Sequence, residues 1–471
     1  MTLGLGADSG DGQEELPGGG AGELPPGWAR ATLGELGEWY GGGTPSKKRP
    51  EFWTDGTIPW LSPKDMGPDI LVATQDLIHK SALDDSPVKL VPGGSVALVV
   101  RSGILERKVP VTYVPFEVTL NQDMKAVKPY EGIDDRWLAW AIRAREQYIL
   151  ENCRKRGTTV ASLEMPWLMD TEVLVPPLAE QRRIAAEVEQ QITHIEAGEE
   201  ALRVGFRKID EFRKSIICSA IPDPLPDDWD EVTVGEAGKV DLGRQRHPSW
   251  HSGPEMKPYL RVANVFEDHI DTSDVKEMDF SGTEEKYALK DGDVLLNEGQ
   301  SPHLLGRPAI YRGTPEGAAF QNTLLRFRPN SRITSEWALL VFRRHMHTGR
   351  FMKESRITTN IAHLSAARLK TIEFPFPSVD RQELIVKQVR RQLEDADRMD
   401  AELRGVTTGS ADLRAALLNA AFTGTLVPQD PADEPASNLL DRIRAARATA
   451  QKAPRKRKQR SAPPGQEELP Q

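Results

Sequence analysis

The stretch VPPLAEQRRIAAEVE at residues 175–189 shows how the chain is organised, because a similar stretch occurs again later in the sequence. The second form, PFPSVDRQELIVKQV at residues 375–389, repeats Gln181, Ile184 and Val188 at an offset of 201 positions. Its prolines end a preceding strand and favour the start of a new helix. The stretch therefore predicts the same strand-to-helix junction at two places in the chain.

The match extends outward from this junction over most of the sequence, with an offset that drifts by only two or three residues. A repeat of this length is a duplicated domain with its connector, since solenoid repeats span about 20–50 residues. It predicts a pseudo-twofold molecule that reads two targets of one kind. Matched pairs are Leu24 with Leu225, Trp28 with Trp229, Gly34 with Gly235, Gly94 with Gly292, Thr158 with Thr358, and Gln181 with Gln382.

Composition limits the class of protein. The 471 residues allow about three domains, and the two cysteines, Cys153 and Cys218, cannot form a disulfide framework. No apolar run approaches the roughly 20 residues needed to span a membrane, and the first residues lack the features of a secretion signal. We expect a cytoplasmic protein without membrane contact.

The net charge of -9 is unusual for a nucleic-acid binder, although phosphate contacts need only a local basic patch. The positive residues are clustered, and several clusters occupy similar places in the two copies. Solvated surface charge is the alternative explanation for each cluster. The clusters are Lys47 to Arg49, Arg107 with Lys108, Arg154 to Arg156, Arg244 with Arg246, Arg343 with Arg344, and Arg350 with Lys353 and Arg356.

The patterns predict an α+β protein with two mixed α/β domains, each followed by a long helix. Candidate strands include 96–100 and 111–114 in copy one and 294–296 and 308–311 in copy two, with helices at 134–153 and 335–352. The predicted segments are a disordered extension at 1–22, a first domain at 23–178, a central helix at 179–221, a second domain at 222–378, a later helix at 379–422, and a C-terminal segment with a basic tail at 423–471.

The two long helices carry apolar residues at seven-residue spacing, which is typical of a coiled-coil seam. Internal glycines such as Gly198 and Gly405 cost roughly 1 kcal/mol each relative to alanine, so we expect each helix to need the other. An antiparallel pair of roughly 50–60 Å would hold the domains apart and act as a ruler. The predicted seam residues are Ile184, Val188, Ile195, Leu202, Ile209, Ile216, Ile385, Val389, Met399, Leu403, Val406, Leu413 and Leu417.

Three segments resemble the DNA-specificity subunit of Type I restriction–modification systems. They are GGGTPSKKRPEFWTDGTIPWLSPKDM at 41–66, VPPLAEQRRIAAEVE at 175–189 and AFTGTLVPQDPADEPASNLLDRI at 421–443. The order of domain, helix, domain and helix is also similar, and the resemblance covers about residues 24 to 450. The acidic extension, the helix glycines and the basic tail PRKRKQR at 454–460 depart from the family pattern.

The resemblance implies a non-catalytic subunit whose two domains each read one half of a split, asymmetric site in double-stranded DNA. It also implies that the helices set the spacer and bind two methyltransferase subunits, which use S-adenosylmethionine to methylate adenine N6. A restriction subunit, where the cell has one, would supply ATP- and magnesium-dependent translocation and cleavage. This chain itself would bind no cofactor.

The loop GGGTPSKK and its counterpart LGRQRHPSW at 242–250 are the first candidates for DNA contact. Glycines allow close backbone approach, lysines meet phosphates, and Arg and Gln can pair with guanine and adenine in the major groove. An ordinary polar turn is the alternative in each case. The candidates are Gly43, Thr44, Ser46, Lys47 and Lys48 in copy one, and Arg244, Gln245, Arg246 and His247 in copy two.

A second pair of loops, RKRGTTVASL at 154–163 and ESRITTNIAHL at 354–364, follows a predicted helix in each copy. Their hydroxyls and amides could bind phosphate, or the threonines could cap a helix. The loops after two strands, Arg101 with Ser102 and Gln300 with Ser301, are weaker candidates. The candidates in this pair are Arg154, Lys155, Arg156, Thr158 and Thr159 in copy one and Arg356, Thr358 and Thr359 in copy two. Arg350 and Lys353, just before the second loop, are further candidates for DNA contact.

Two other classes of function stay open at this point. A self-contained DNA enzyme would need catalytic signatures, but the sequence contains no Walker-type loop, no HExxH pair and no adenine-methyltransferase motif. Glu106 to Lys108 and Glu284 to Lys286 resemble only half of a metal-dependent nuclease site. A coiled-coil scaffold whose domains bind protein would show no salt-sensitive binding to DNA.

Overall fold

The computed structural model describes residues 24–155, 157, 159–358, 361–407 and 409–452. The chain forms two compact units: unit 1 contains the residues up to 198 together with those from 409 onward, and unit 2 contains residues 199–408. The predicted disordered extension at 1–22 and the basic tail at 454–460 lie outside the described residues. Unit 1 is therefore built from two separate parts of the sequence.

Unit 1 is a mixed α/β fold in which short strands dominate the first part. Its strands are β1 (Ala29–Thr32), β2 (Gly37–Gly41), β3 (Ile58–Leu61), β4 (Asp76–Ile78), β5 (Leu90–Val91), β6 (Ser95–Val99), β7 (Val111–Val114), β8 (Val118–Leu120), β9 (Met124–Pro129) and β10 (Glu172–Val175). Its first helices are α1 (Ser81–Asp85), α2 (Asp135–Ala144), α3 (Glu146–Asn152) and α4 (Met165–Met169). Short 3-10 helices occupy Pro50–Phe52, Pro63–Asp65 and Gly103–Glu106.

Two four-stranded sheets and one strand pair form the framework of unit 1. The sheet orders are β2-β9-β6-β7 and β4-β3-β8-β5, and β1 pairs with β10. All contacts are antiparallel except β3 with β8. The fully buried Trp137 and Leu138 of α2 pack against Val96 and Leu98 of β6 in the core, so the strand ends rest on a fixed base.

Unit 2 begins within the long helix α5 (Leu178–Ser219), whose residues are divided between the two units. Its strands are β11 (Asp230–Thr233), β12 (Gly238–Leu242), β13 (Met256–Leu260), β14 (Val265–Phe266), β15 (His269–Ile270), β16 (Lys276–Asp279), β17 (Val294–Asn297), β18 (Gly299–Gln300), β19 (Pro308–Ile310), β20 (Ala319–Phe320), β21 (Leu324–Pro329), β22 (Arg356–Thr358), β23 (Ile361–His363) and β24 (Glu373–Phe376). Its helices are α6 (Val234–Ala237), α7 (Glu284–Tyr287), α8 (Ser335–His347), α9 (Arg350–Lys353), α10 (Ala366–Leu369) and α11 (Val379–Thr407), with 3-10 helices at Pro248–Trp250, Val262–Asn264 and Pro302–Leu304.

The internal topology of unit 2 repeats that of unit 1. The sheet β12-β21-β17-β19 corresponds to β2-β9-β6-β7, and the pair β11-β24 corresponds to β1-β10. The parallel pair β13-β20 corresponds to β3-β8. Register is also kept, since Gly37 faces Pro129 and Gly238 faces Pro329. The duplicated domain predicted from the sequence is confirmed.

The helix expected at 134–153 is divided into α2 and α3 at Arg145, whose φ of -96° and ψ of 9° leave the helical region. The helix expected at 335–352 is divided into α8 and α9 by Gly349, which has a φ of 69°. Glycine adopts this left-handed conformation at little cost. Both predictions placed a helix correctly and missed a local break.

The long helices pair antiparallel within unit 2. The Arg213 guanidinium lies 2.8 Å from the Asp397 carboxylate, and Arg404 lies over the ring of Phe206 at 5.2 Å. A later residue of α5 therefore contacts an earlier residue of α11, so the two helices run in opposite directions. This is the antiparallel pairing predicted from the sequence. Within the described residues, no helix is long and apolar enough to cross a membrane.

Unit 1 holds the other part of the helical pairing. Leu417 and Ala421 of α12 (Gly409–Phe422) share the core cluster of Ile184, Val188 and Ile192 of α5. The equivalent residues at the end of α5, 201 positions earlier, are Ile216 and Ala220, and they pack in the core of unit 2. The end of each long helix is therefore part of a domain core.

The sequence places a second apolar track on the later helix at Ile385, Met399, Val406 and Leu413, and only Ile385 of these is buried. Met399, Val406 and Leu413 are 50%, 62% and 56% exposed. One partner helix covers only a narrow stripe, and a straight helix drifts about 20° per heptad from a strict seven-residue repeat, so a second track turns toward solvent. Among the predicted seam residues, those buried are Ile184, Val188, Ile209, Ile216, Ile385, Val389 and Leu417, and those half-buried are Ile195, Leu202 and Leu403.

The helix α13 (Ala436–Lys452) belongs to unit 1 and was not predicted from the sequence. Its Ala436 amide donates to the Gly27 carbonyl at 2.8 Å, and the Arg444 guanidinium lies 3.0 Å from the Glu35 carboxylate. The Leu439 side chain contacts the backbone at Gly132, where any larger residue would clash with it. The segment after the long helix is therefore a structural part of the first domain.

Candidate nucleic-acid interface

Two candidate loops of unit 1 meet at the turn Asn121-Gln122-Asp123, which joins β8 to β9. The Gly43 amide donates to the Leu120 carbonyl at 2.8 Å, and the Val100 amide donates to the Asp123 carbonyl at 2.8 Å. These bonds attach the loop after β2 and the loop after β6 to the same turn. The structure thus brings together candidate loops that are distant in sequence.

The loop GGGTPSKK is held close to this turn by a glycine. A side chain at Gly42 would overlap the Asn121 carbonyl oxygen, and the Thr44 hydroxyl donates to the Gln122 side-chain oxygen. Gly43 itself is buried, and its carbonyl accepts from the Trp60 indole at 3.1 Å. Ser46, Lys47 and Lys48 are exposed, and neither lysine has an ion-pair partner among the described residues.

The loops 100–103 and 154–163 complete this edge of unit 1. Arg101 forms a bridge pair with Ser162, and the Ser102 amide donates to the Ala161 carbonyl at 3.0 Å. Lys155 and Thr159 are exposed. Arg101 is bound to Asp123 at 2.6 Å, which orients its guanidinium at the rim of the interface.

Unit 2 repeats this arrangement around the turn Gln321-Asn322-Thr323, which joins β20 to β21. The Asn322 amide donates to the Arg244 carbonyl at 3.0 Å, and the Glu298 amide donates to the Thr323 carbonyl at 3.0 Å. Gln300 pairs with Ala362 of β23. The loops predicted around 242–250, 298–301 and 354–364 therefore also meet.

The prediction that Arg244 reads a base is wrong. Its side chain is buried, donates to the Asp279 carbonyl at 2.6 Å and lies over the Trp250 ring at 4.1 Å. A guanidinium can stabilise a fold through such aromatic stacking and hydrogen bonds. Gln245, Arg246 and His247 are exposed in the same loop, so the loop keeps polar groups that can face a ligand.

Arg350 is also committed to the fold of unit 2. Its guanidinium lies 2.7 Å from Glu373 and 2.9 Å from Glu354, which leaves little of its charge for a phosphate. Lys353 is exposed. Arg154 lies 3.3 Å from Glu106, and the side-chain oxygen of Gln300 accepts from the Ser301 amide at 3.0 Å.

Several predicted residues cannot be placed. Arg156, Thr158 and Thr359 lie outside the described residues. Arg356 and Thr358 are part of strand β22, and their side chains lie outside the described part. The prediction of phosphate contact by these five residues stays a prediction.

The basic cluster at Arg343 is structural in part. The Arg343 guanidinium lies 2.8 Å from the Glu267 carboxylate, and the Nε2 atom of His347 lies 2.8 Å from the same carboxylate. The matching Arg143 of unit 1 lies 2.9 Å from Asp69. In both units an arginine of the domain helix therefore fixes an acidic loop, and this charge is not free for DNA.

A buried histidine lies behind the interface of unit 2. Burial lowers the pKa of His345 to about 4, and its Nε2 atom lies 2.9 Å from the Glu373 carbonyl oxygen. The imidazole is therefore neutral near pH 7 and donates one hydrogen bond. This group supports the sheet edge and takes no part in the surface charge.

The residues at the centre of both interfaces were missed by the sequence analysis. The tripeptides Asn121-Gln122-Asp123 and Gln321-Asn322-Thr323 stand exactly 200 positions apart and are both rich in side-chain amides. Their signal was the repeat of amides at matched positions between two apolar strands. These tripeptides contain no basic residue, so the clusters of positive charge do not mark them.

Comparison with known proteins agrees with these observations. A family model described as "Type I restriction modification DNA specificity domain" matches residues 25–202 and 226–396. The Type I restriction enzyme EcoR124I/EcoR124II specificity subunit of Escherichia coli is 46% identical over 153 residues, 32% of this chain and 38% of that protein. The EcoKI specificity subunit of Escherichia coli (strain K12) is 21% identical over 93% of this chain and 99% of its own length.

A similar fold is found in a solved structure. A chain from the structure described as "Structural basis underlying complex assembly and conformational transition of the type I R-M system" has a TM-score of 0.66 and 18% identity. The match covers 86% of this chain and 100% of that chain. At this identity the likeness supports the fold.

Proposed function

The chain belongs to the Type I restriction modification DNA specificity domain family, and we propose that its two units read the two halves of a bipartite, asymmetric DNA site. As a member of this family it is a non-catalytic DNA-recognition subunit of a restriction–modification system. The sequence-specific contact comes from this chain, and the chemistry is performed by partner subunits.

The observation that carries this proposal is the convergence of candidate loops on one edge within each unit. Exposed lysines at 47 and 48 in unit 1 and exposed polar groups at 245–247 in unit 2 supply phosphate and base contacts of different kinds. Two edges with the same backbone framework and different side chains are suited to two different half-sites.

The partners would be two methyltransferase subunits that bind the paired helices. Phe212, Met399 and Val406 on these helices are 45%, 50% and 62% exposed, so apolar side chains on the helices are available for contact with a partner. These subunits would bind S-adenosylmethionine and methylate adenine N6 in the cytoplasm. A restriction subunit, if the cell has one, would bring ATP and magnesium.

A binding experiment tests the proposal. The chain is purified with and without the methyltransferase encoded beside it, and DNA binding is measured at 50 and 200 mM salt. We expect the complex to bind one duplex sequence tightly, and its affinity to fall at least about tenfold over this range because phosphate contacts release counterions.

The alternatives give different results. A protein-binding scaffold would capture the methyltransferase without salt-dependent binding to DNA. A self-contained nuclease would cleave DNA in the absence of any partner when magnesium is added. Either result would contradict the proposal, as would a complex that methylates no adenine in a host genome.

A further inference from the structure

The turn at the centre of each interface is held rigidly by its backbone. In unit 1 the Asn121 amide donates to the Leu61 carbonyl at 2.8 Å, and the Met124 amide donates to the Asn121 carbonyl at 3.0 Å. In unit 2 the Gln321 amide donates to the Leu260 carbonyl at 2.9 Å. Each turn is thus fixed by strands on both sides before any ligand arrives.

Glycines bring a neighbouring loop against both turns. A side chain at Gly42 would overlap the Asn121 carbonyl, and one at Gly243 would overlap the Gln321 carbonyl. The two glycines are 201 positions apart, as the repeat requires. The close approach limits how the backbone of each turn can move.

The amide side chains of these turns have bonding capacity left over. The Gln122 side chain is exposed and, among the residues that the structure describes, its one hydrogen bond is accepted from the Thr44 hydroxyl. Within the described residues, the side-chain amides of Gln321 and Asn322 form no hydrogen bond. These amides are exposed or half-buried and lie on the edge where the candidate loops converge, so they are available to a ligand that binds there.

We propose that Gln122 and Asn322 are specificity-determining residues, each reading an adenine base edge in the major groove of one half-site. The inference rests on the proposed function. An amide side chain donates to adenine N7 and accepts from adenine N6 in a bidentate contact, which no other base pair offers in the same arrangement. The different amide order, Asn-Gln-Asp against Gln-Asn-Thr, places the reading groups differently in the two units.

The neighbouring groups fit this role. The Asp123 carboxylate lies 2.6 Å from the Arg101 guanidinium, and the Thr323 hydroxyl accepts from the Val262 amide at 3.1 Å. The third residue of each turn therefore braces the turn. The exposed Lys47 and Lys48 would supply positive charge for the phosphates and need not contact a base.

The test uses the full chain with its methyltransferase partner in a host without adenine methylation. The near-isosteric changes Gln122→Met and Asn322→Leu remove the amide and keep the volume. Methylated adenines are mapped across the genome, and binding to duplexes with single A·T to G·C changes is measured by competition. Exchange of residues 24–178 assigns each half-site to its unit.

We expect each variant to lose preference at one A·T pair in its own half-site by about 10- to 100-fold, with the other half-site unchanged. The control Lys47→Ala should weaken all sequences alike and keep the motif, since a phosphate contact carries no sequence information. The amide control Asn438→Leu, on an exposed position of α13, should keep both half-sites.

An unchanged motif with unchanged stringency in both variants would overturn the inference, and so would a change in both half-sites from one substitution. Loss of the folded state, seen as a collapse of the melting temperature, would also count against it, because it would assign the amide to the fold. Failure of the proposed function looks different: the unmodified complex itself would show no motif.

Discussion

One glycine in each unit, Gly42 in unit 1 and Gly243 in unit 2, allows the neighbouring loop to contact the central turn. A Gly42→Ala substitution places a methyl group against the Asn121 carbonyl oxygen, and overpacking of this kind costs about 1–3 kcal/mol. We expect a lower free energy of unfolding of unit 1 and weaker binding to its half-site. Urea unfolding and competition binding measure both effects.

Gly67→Ala is the matched control for this change. No atom lies within 4 Å of the position where its methyl group would be built, so we expect a change within about 0.5 kcal/mol. If both glycine variants lost the same stability, the close contact between the loop and the turn would not be the cause.

His345 gives unit 2 a stability that depends on pH. Burial lowers the pKa of the folded imidazole to about 4, while an unfolded histidine binds a proton below about pH 6.5. The unfolded state therefore binds more protons between pH 4 and 6.5, and the stability falls as the pH is lowered through this window. We expect a loss of about 2 kcal/mol from this group between pH 7 and 5.

The variant His345→Gln keeps a donor for the Glu373 carbonyl and removes the titration. Its free energy of unfolding should fall less steeply between pH 7 and 5 than that of the unmodified protein, in urea titrations at each pH. His303→Gln, at an exposed position of unit 2, should leave the slope unchanged. Equal slopes for His345→Gln and the unmodified protein would reject this assignment.

At the scale of elements, the paired helices contain buried and exposed leucines that are easily confused in the sequence. Leu417 is 8% exposed and Leu413 is 56% exposed. We expect Leu417→Ala to cost about 2–5 kcal/mol through lost burial and a cavity. Leu413→Ala should stay within about 0.5 kcal/mol. Thermal unfolding of the two variants side by side tests this, and similar losses would mean that both lie in the seam.

The elements show what periodicity can predict. Seven-residue spacing correctly placed Val188, Ile209 and Leu417 in the seam, because burial of a helix depends on the angle around its axis. The spacing could not show how much of the helix surface the partner helix covers. The prediction that Met399 and Val406 lie in the seam was therefore wrong. Helix α13 was missed because its apolar face, Leu439 and Ile443, is short and gains its partners from the distant first domain.

The structure brings the glycine-rich and basic candidate loops to one edge in each unit, because such loops lie at strand ends. That DNA binds at these edges stays a prediction, and the individual residues were harder to predict than the region. Charge alone did not reveal that Arg244 is held by Asp279 or that Arg350 is held by Glu373. Such partners are far away in sequence and are set by the fold. The amide turns contain no basic residue, so clusters of positive charge do not reveal them.

At the scale of the whole molecule, the two units should recognise DNA independently. Replacing residues 24–178 by the equivalent domain of another family member should change one half of the methylated motif, because the loops of unit 1 lie within this segment. Mapping of methylated adenines shows the result. A change in both halves would contradict separate reading.

We also expect the helices to set the distance between the half-sites. Inserting one helical turn near Glu199 lengthens α5 by about 6 Å, which is close to two base-pair steps of about 3.4 Å each. The mapped spacer should change while both half-sites persist. An insertion of equal length beside the exposed Val72 is the control, and an unchanged spacer in the helix variant would exclude a ruler.

The position of α13 has a consequence for how the chain matures during synthesis. Its contacts with Gly27 and Glu35 join residues that the ribosome makes at opposite stages of translation. Unit 2, whose residues are contiguous, can reach its native state on the emerging chain. Unit 1 must wait for residues 436–452, so the domain that is translated first is completed last.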